Sequence, residues 1–576
     1  MTPAAPIGDA PADTTTAADQ TPATAIADGA QRRHAVVIGG GIAGLASAAL
    51  LARDGYDVDL LERQPEVGGR AGSWASGGFR FDTGPSWYLM PEVFDRFFRL
   101  LGTSATEQLD LRTLDPAYRV FFEGEADPVD VSPHLATNVA TFERLEPGAG
   151  MRLRRYLDSA RDTYDLALRS FLYTSFTSLR PFLTARVLRR AHRLPPLLLR
   201  SLESFVAARF TDPRLRQILG YPAVFLGSSP DRTPSMYHLM SALDLAGGVS
   251  YPQGGFTRLI EAVAAVAERA GARLHTGATA TAVTTEPVRG RRRARVTGVR
   301  YTDAAGTARE IPADVVVGAA DLHHVETALL PASLRTYPER WWRRRTSGPG
   351  AVLVYLGVRG HLPHLAHHSL FFTREWRENF DAIFAGRVPA PASVYVCRPS
   401  ATDSSVAPEG HENLFVLVPV PADPGLGAGG VDGAGDAAVE AIADAAIDQV
   451  ATWAGMADLR ERIVVRRTVG PADFARDLHA WRGGMLGPAH TLGQSAFFRA
   501  GNVSRRVAGL YYAGSSTIPG IGLPMCLISA ELAAERVRAD NRPGGQVAAP
   551  AAQDLAAQPA APDPSAQPAV VRTGRR

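Results

Sequence analysis

The 576-residue chain predicts an α/β fold built on a parallel sheet, with a second, α+β region inserted in pieces. Three observations carry this. A strand, a glycine turn, a helix and a second strand follow one another without a break over residues 34–62. An apolar strand, a Gly/Pro turn and an apolar helix follow one another again over residues 509–531. Between them, short apolar runs such as Asp314-Val-Val-Val-Gly318 are separated by long stretches of mixed pattern.

His34-Ala-Val-Val-Ile38 suits a strand buried on both faces, and Gly39-Gly-Gly41-Ile-Ala-Gly44 follows at once. Leu45 to Arg53 is rich in good helix formers and Gly55 can stop that helix. Asp57-Val-Asp-Leu-Leu-Glu62 is then a second strand ending in a carboxylate. This is the full context of a dinucleotide-binding turn. Gly39 permits the tight turn, Gly41 lets backbone approach a pyrophosphate, and Gly44 lets helix and strand pack closely. The helix start offers free N–H groups to phosphate. Glu62 can accept from a ribose hydroxyl, which disfavours a 2′-phosphate there.

Downstream, Gly68-Gly69-Arg70 can bring backbone close to the pyrophosphate and add a cation, and Phe79-Arg-Phe-Asp-Thr-Gly84-Pro85 reads as a strand entering a glycine turn. The run His34–Pro85 resembles the N-terminal signature of the FAD-dependent amine oxidase and carotenoid desaturase superfamily. An NAD-binding Rossmann domain with an unrelated glycine loop is the alternative. At the other end, Thr517-Ile-Pro-Gly-Ile-Gly522-Leu-Pro524-Met525 resembles the closing motif of bacterial-type phytoene desaturases, and Gln494-Ser-Ala-Phe-Phe-Arg499 resembles a segment of the same family. Met525 departs from it, since a small residue often follows that proline.

The resemblance runs from about His34 to Arg538 and implies a Rossmann-type FAD-binding domain of the amine oxidase/carotenoid desaturase type, in three pieces: 34–120, 250–330 and 485–540. The substrate and membrane-contact domain would take 121–249 and 331–484. It implies FAD contacts from Gly39, Gly41, Gly44, Glu62, Arg63, Gly69, Arg70, Gly84, Gly514, Gly522, Pro524 and Met525. Gly271 to Val283 looks like a strand pair, and by resemblance Val283 would touch the adenine end with its backbone. The exposed N–H groups at the start of the last helix can stabilise negative charge on a flavin ring.

The reaction implied is desaturation of phytoene or a close relative towards lycopene, with hydride transfer to FAD and oxygen or a quinone as final electron acceptor. Alternatives are a carotenoid isomerase or oxygenase, or another amine-oxidase-like flavoprotein. An escort protein of prenylated GTPases on the same fold would lack the intact glycine turn. Asp158, Arg161 and Asp381 match polar positions proposed for acid/base roles in the family. Asp158 and Arg161, at i and i+3, fit a surface ion pair equally well.

The remaining features bound the answer. A net charge of +3 argues against a nucleic-acid partner, and two cysteines are too few for a disulfide framework. All basic residues are arginine, which excludes a lysine Schiff base. His361, His364, His367 and His368 lie near Pro363 with no acid or cysteine close along the chain, so no metal site is expected. Cys526 reads as a packing residue. Leu166–Arg200 contains seven arginines and no acid, which suits either a solvated helix face or a membrane interface. A lipid-soluble substrate favours the membrane, hence a cytoplasmic enzyme attached peripherally. Pro421–Gly435 reads as a surface loop. Residues 1–33 and 541–576 are Ala/Pro-rich and expected to be disordered.

Overall fold

The computed structural model describes residues 32–175, 194–290 and 292–541. The expected tails, and the centre of the arginine-rich segment, lie outside the described residues.

A five-stranded parallel sheet runs in the order Leu510–Tyr512, Val315–Gly318, His34–Ile38, Asp57–Leu61, Ala272–His275. Strands from distant parts of the chain thus meet side by side. The central strand is paired on both edges, and its Val36 and Val37 are fully buried. Helix Ile42–Arg53 covers one face. Five of its twelve residues are alanine, so helices Phe256–Arg269 and Leu523–Asp540 pack closely around it in one core.

A seven-stranded sheet is ordered Ile463–Val469, Gly350–Arg359, His411–Val420, Val394–Cys397, His368–Phe372, Tyr118–Phe122, Val129–Val131. All neighbours are antiparallel except Tyr118–Phe122 beside His368–Phe372. Helix Ala437–Trp453 packs on one face, burying Val439, Ile447 and Val450 against Val354, Leu356 and Val416. The other face looks towards a large cavity.

One expectation is adjusted. The strands at 271–283 exist but do not pair with each other: Ala272–His275 joins the parallel sheet, while Thr279–Pro287 pairs with Ala294–Thr302. The helix near residue 160 spans Ala149–Ala167 and continues into a wide π-type turn, Leu168–Leu172.

Candidate active site

A cavity of about 820 Å³ runs from the first glycine turn to the seven-stranded sheet and the helices beside it. At its polar end the backbone is fitted closely. A Cβ at Gly39 (φ +106°) would lie 2.7 Å from the Ala320 nitrogen, and one at Gly44 only 1.9 Å from the Gly39 carbonyl oxygen. These glycines therefore let the strand end and helix start touch. Gly41 differs: a Cβ there would meet nothing nearer than 3.9 Å, so its bare backbone leaves room in the cavity. Gly44 itself is not part of the cavity wall.

Glu62 is 8% exposed and held on both oxygens. Oε2 accepts the Gly40 N–H at 2.6 Å and Oε1 the Gln64 N–H at 2.7 Å. Arg63 donates to the carbonyls of Arg476 and Asp477, which fixes it at the same end. Gly69 brings its backbone against Gly41, and a Cβ at Gly84 would strike the Arg70 carbonyl oxygen at 2.0 Å. Arg70 lines the cavity with Nε and Nη2 buried and without hydrogen-bond partners, 3.5 Å from the Asp321 carboxylate. Buried donors left open beside a glycine cradle and a helix start suit an anionic diphosphate.

At the same end His324 and His479 stack with centroids 3.8 Å apart and rings nearly parallel. Burial and the neighbouring His479 pull His324 down to about 4, so it is neutral at neutral pH. Val283 lies apart from the cavity. Its N–H donates to the Leu329 carbonyl at 3.0 Å, whereas Ala278, Thr279 and Ala280 line the cavity.

Gly514 (φ +120°), Gly522 (φ +117°), Pro524 and Met525 line the cavity further along. The helix starts at Leu523 with Pro524 in its first turn and no side chain capping it. Two residues hold this turn from beneath. Arg499, 6% exposed, donates to the carbonyls of Thr517, Ser515, Pro488 and Gln494. His490 Nε2 accepts the Ile521 N–H at 3.2 Å, and Nδ1 meets Tyr237 Oη at 2.9 Å. A Cβ at Gly520 would strike that imidazole at 2.3 Å. The sequence marked the Gln494–Arg499 segment by resemblance only, and carried no signal for His490 or Tyr237.

Beyond the turn the wall is mainly apolar, with Phe171, Phe225, Met236, Met240 and Phe380, and carries a few uncharged polar groups such as Tyr237, Asn379 and Tyr395. Among the described residues its carboxylates are Glu62, Asp321 and Asp477, all grouped with Arg63 and Arg70 at the glycine-turn end. Leu198, Leu492, Phe497 and Phe498 line the cavity and are also 36–59% exposed, so its rim is apolar.

The three proposed acid/base residues lie outside the cavity wall. Asp158 and Arg161 are exposed, and their helix reaches the cavity only from Tyr164 onward. Asp381 is 53% exposed and 3.9 Å from Arg377, on the helix face opposite Trp376, Phe380 and Ile383, which do line the cavity. The histidine run splits as well. His361 and His364 are exposed, while His367 and His368 are buried. The absence of a cysteine held only along the chain, since Cys397 is the register partner of His368.

A glycine-rich βαβ turn with open buried donors, joined to a long apolar chamber, defines an oxidoreductase with a dinucleotide cofactor. The model of the flavin containing amine oxidoreductase family matches residues 42–538. A carotenoid 3,4-desaturase of Haloarcula japonica is 40% identical over 88% of this chain and 98% of its own length. A zeta-carotene-forming phytoene desaturase of Myxococcus xanthus is 35% identical over 88% and 94%. Among solved structures, an oxidoreductase from Methanosarcina mazei superimposes with a TM-score of 0.54 at 16% identity, covering 86% of this chain and 99% of that one. Putrescine oxidase bound to putrescine does so with 0.54 and 16%, covering 88% and 99%. The chain belongs to the flavin containing amine oxidoreductase family, among its carotenoid desaturases, and is an FAD-dependent oxidoreductase.

Proposed function

We propose that the protein dehydrogenates an acyclic carotenoid of the phytoene class, towards lycopene. The observation that carries this is the chamber itself, mainly apolar from the Gly514–Met525 turn to an exposed apolar rim. An amine substrate would want a carboxylate within the chamber, whereas the carboxylates of the wall sit at the glycine-turn end, and a C40 polyene loses about 0.8 kcal/mol of hydration cost per buried CH₂.

In this reading residues 34–120, 250–330 and 485–540 hold the cofactor, and 121–249 with 331–484 enclose the substrate. Gly39, Gly41 and Gly69 give backbone access to the diphosphate and Arg70 its cation. Glu62 and Arg63 border the ribose, and the Gly514–Met525 turn meets the ring. FAD supplies a two-electron hydride acceptor when bound. The protein's part is to orient the chain, exclude water and take up a proton. Oxygen or a quinone is the electron acceptor. The apolar rim lies in the cytoplasmic membrane face, from which the substrate enters. No helix among the described residues is long and apolar enough to cross a membrane.

The similarity to a carotenoid 3,4-desaturase favours a second reading, in which the substrate already carries a conjugated chain and is desaturated at C3–C4. Incubating the FAD-loaded protein in liposomes with phytoene or with lycopene, and reading product spectra, separates the two. Unchanged carotenoid in both would count against desaturation altogether.

A further inference from the structure

The seven-stranded sheet lays one row of side chains along the cavity floor. Leu353, Leu417, Tyr395 and Leu370 are successive register partners, and all four line the cavity. Three are aliphatic; Tyr395 alone in the row carries a hydroxyl. Its Oη lies 2.6 Å from Ser86 Oγ and 2.8 Å from His368 Nδ1. His368 is fully buried behind it, stacked on Trp87 at 4.6 Å and 12°. Its Nε2 has no hydrogen-bond partner.

Taking a hydride and a proton from a CH–CH unit requires a proton acceptor, and the carboxylates on the wall all sit at the glycine-turn end. His324 and His479 stack at that same end, and the remaining tyrosines and histidine of the wall are already engaged. Tyr164 and Tyr221 donate to Glu92 and Asp244. Tyr237 faces His490, but His490 Nε2 accepts the Ile521 N–H, so its Nδ1 carries the proton and cannot take another from Tyr237. Cys526 is a buried thiol inside the last helix. Tyr395 differs. With Ser86 donating to its oxygen, it donates to His368 Nδ1; burial and the neighbouring His367 hold that imidazole neutral, so the Nδ1 lone pair is open to a proton during the step.

We propose that Tyr395 accepts the substrate proton and passes its own to His368. This rests on the carotenoid-dehydrogenation reading. The hydride departs with its electron pair to FAD. The neighbouring C–H bond then breaks, its pair becoming the second bond of the new C=C. An O–H bond forms at Tyr395 Oη as the original O–H breaks, and an N–H bond forms at His368 Nδ1. Departure of the hydride leaves positive charge on carbon, which acidifies the adjacent C–H, so a weak base suffices.

The test uses FAD-loaded protein with phytoene or lycopene in liposomes, without oxygen, in a single turnover. Tyr395→Phe keeps the ring and loses the hydroxyl. His368→Gln keeps an acceptor towards Tyr395 and takes no proton. Both are expected to slow product formation about 100-fold. FAD content, its visible spectrum and the carotenoid concentration giving half the maximal rate should stay at wild-type values. A rate within about threefold of wild type in either variant overturns the relay. If wild-type protein retains FAD but converts neither carotenoid, the dehydrogenation reading falls and the relay with it. Conversion by wild type with an unimpaired variant removes the relay alone.

Discussion

Arg499 Nε donates to the Thr517 carbonyl at 3.1 Å while the residue is only 6% exposed, and no carboxylate among the described residues pairs with it. Burial pulls its guanidinium down to about 10, yet it remains charged at neutral pH. A buried cation answered only by carbonyl dipoles raises the potential beneath the Ser515–Thr517 turn. Arg499→Met is expected to leave those carbonyls unsatisfied, at a cost of about 1–3 kcal/mol each, lowering both the melting temperature and FAD content. Arg499→Lys should keep the fold better. Any FAD it retains should show a reduction potential close to wild type, while in Arg499→Met the potential should fall by on the order of 30 mV. Equal potentials in both would mean that the charge does not reach the ring.

Glu62 holds the other end. Its two oxygens accept from the Gly40 and Gln64 N–H groups, which ties the acid to the glycine turn. Glu62→Ala frees both donors and removes the proposed ribose acceptor. A hydrogen bond to a charged group is worth about 1.5–3 kcal/mol, so FAD affinity should drop roughly 10- to 100-fold. Glu62→Gln should lose less. Fluorescence titration of apo-protein with FAD measures both, and unchanged binding in Glu62→Ala would remove Glu62 from the site.

Legibility followed sequence distance. The first βαβ unit could be read because strand, glycines, helix and acid are consecutive, and each constrains the next. Tyr395, Ser86 and His368 could not, because they meet only through strand register and a loop nearly 300 residues away along the chain. The distance of Val283 from the cavity has a related cause. The strand Thr279–Pro287 has an irregularity between Ala280 and Ala282, which changes the face that later residues occupy. Asp158 and Asp381 lie on the right helices, but which face meets the chamber is decided by packing against elements the helix sequence does not contain.

The apolar rim gives a test of membrane attachment. Leu492, Phe497 and Phe498 are 42%, 47% and 59% exposed beside the cavity mouth. Burying such a side chain is worth about 1.5–3 kcal/mol, and partial insertion a fraction of that. The double change Phe497→Ser, Phe498→Ser should therefore weaken liposome binding roughly tenfold in a flotation assay. FAD content should not move. Wild-type flotation by the double variant would place the membrane contact elsewhere.

Asp244 links the chamber wall to pH. It is 3% exposed and accepts from Tyr118 Oη at 3.0 Å and Tyr221 Oη at 3.4 Å, with no cation beside it. Burial pushes its carboxyl up to about 7 from an ordinary 3.8, outweighing the hydrogen bonds that favour the charge. The folded state thus binds the proton more tightly than the unfolded chain. The associated stability is fully present below the unfolded value of 3.8 and is lost as pH rises through about 7. Measured against a protein lacking this carboxyl, the wild-type melting temperature should accordingly fall as pH rises from about 4 to about 7, where the unfolded chain has released the proton and the folded state has not. Asp244→Asn carries no such proton, so its melting temperature should decline less, and the gap between the two proteins should shift in favour of the variant as pH rises. Tyr221 lines the chamber, so ionisation of Asp244 strengthens the pull on a wall residue without touching substrate. A parallel decline in both proteins would show that Asp244 is already ionised, with its charge answered by the two tyrosines.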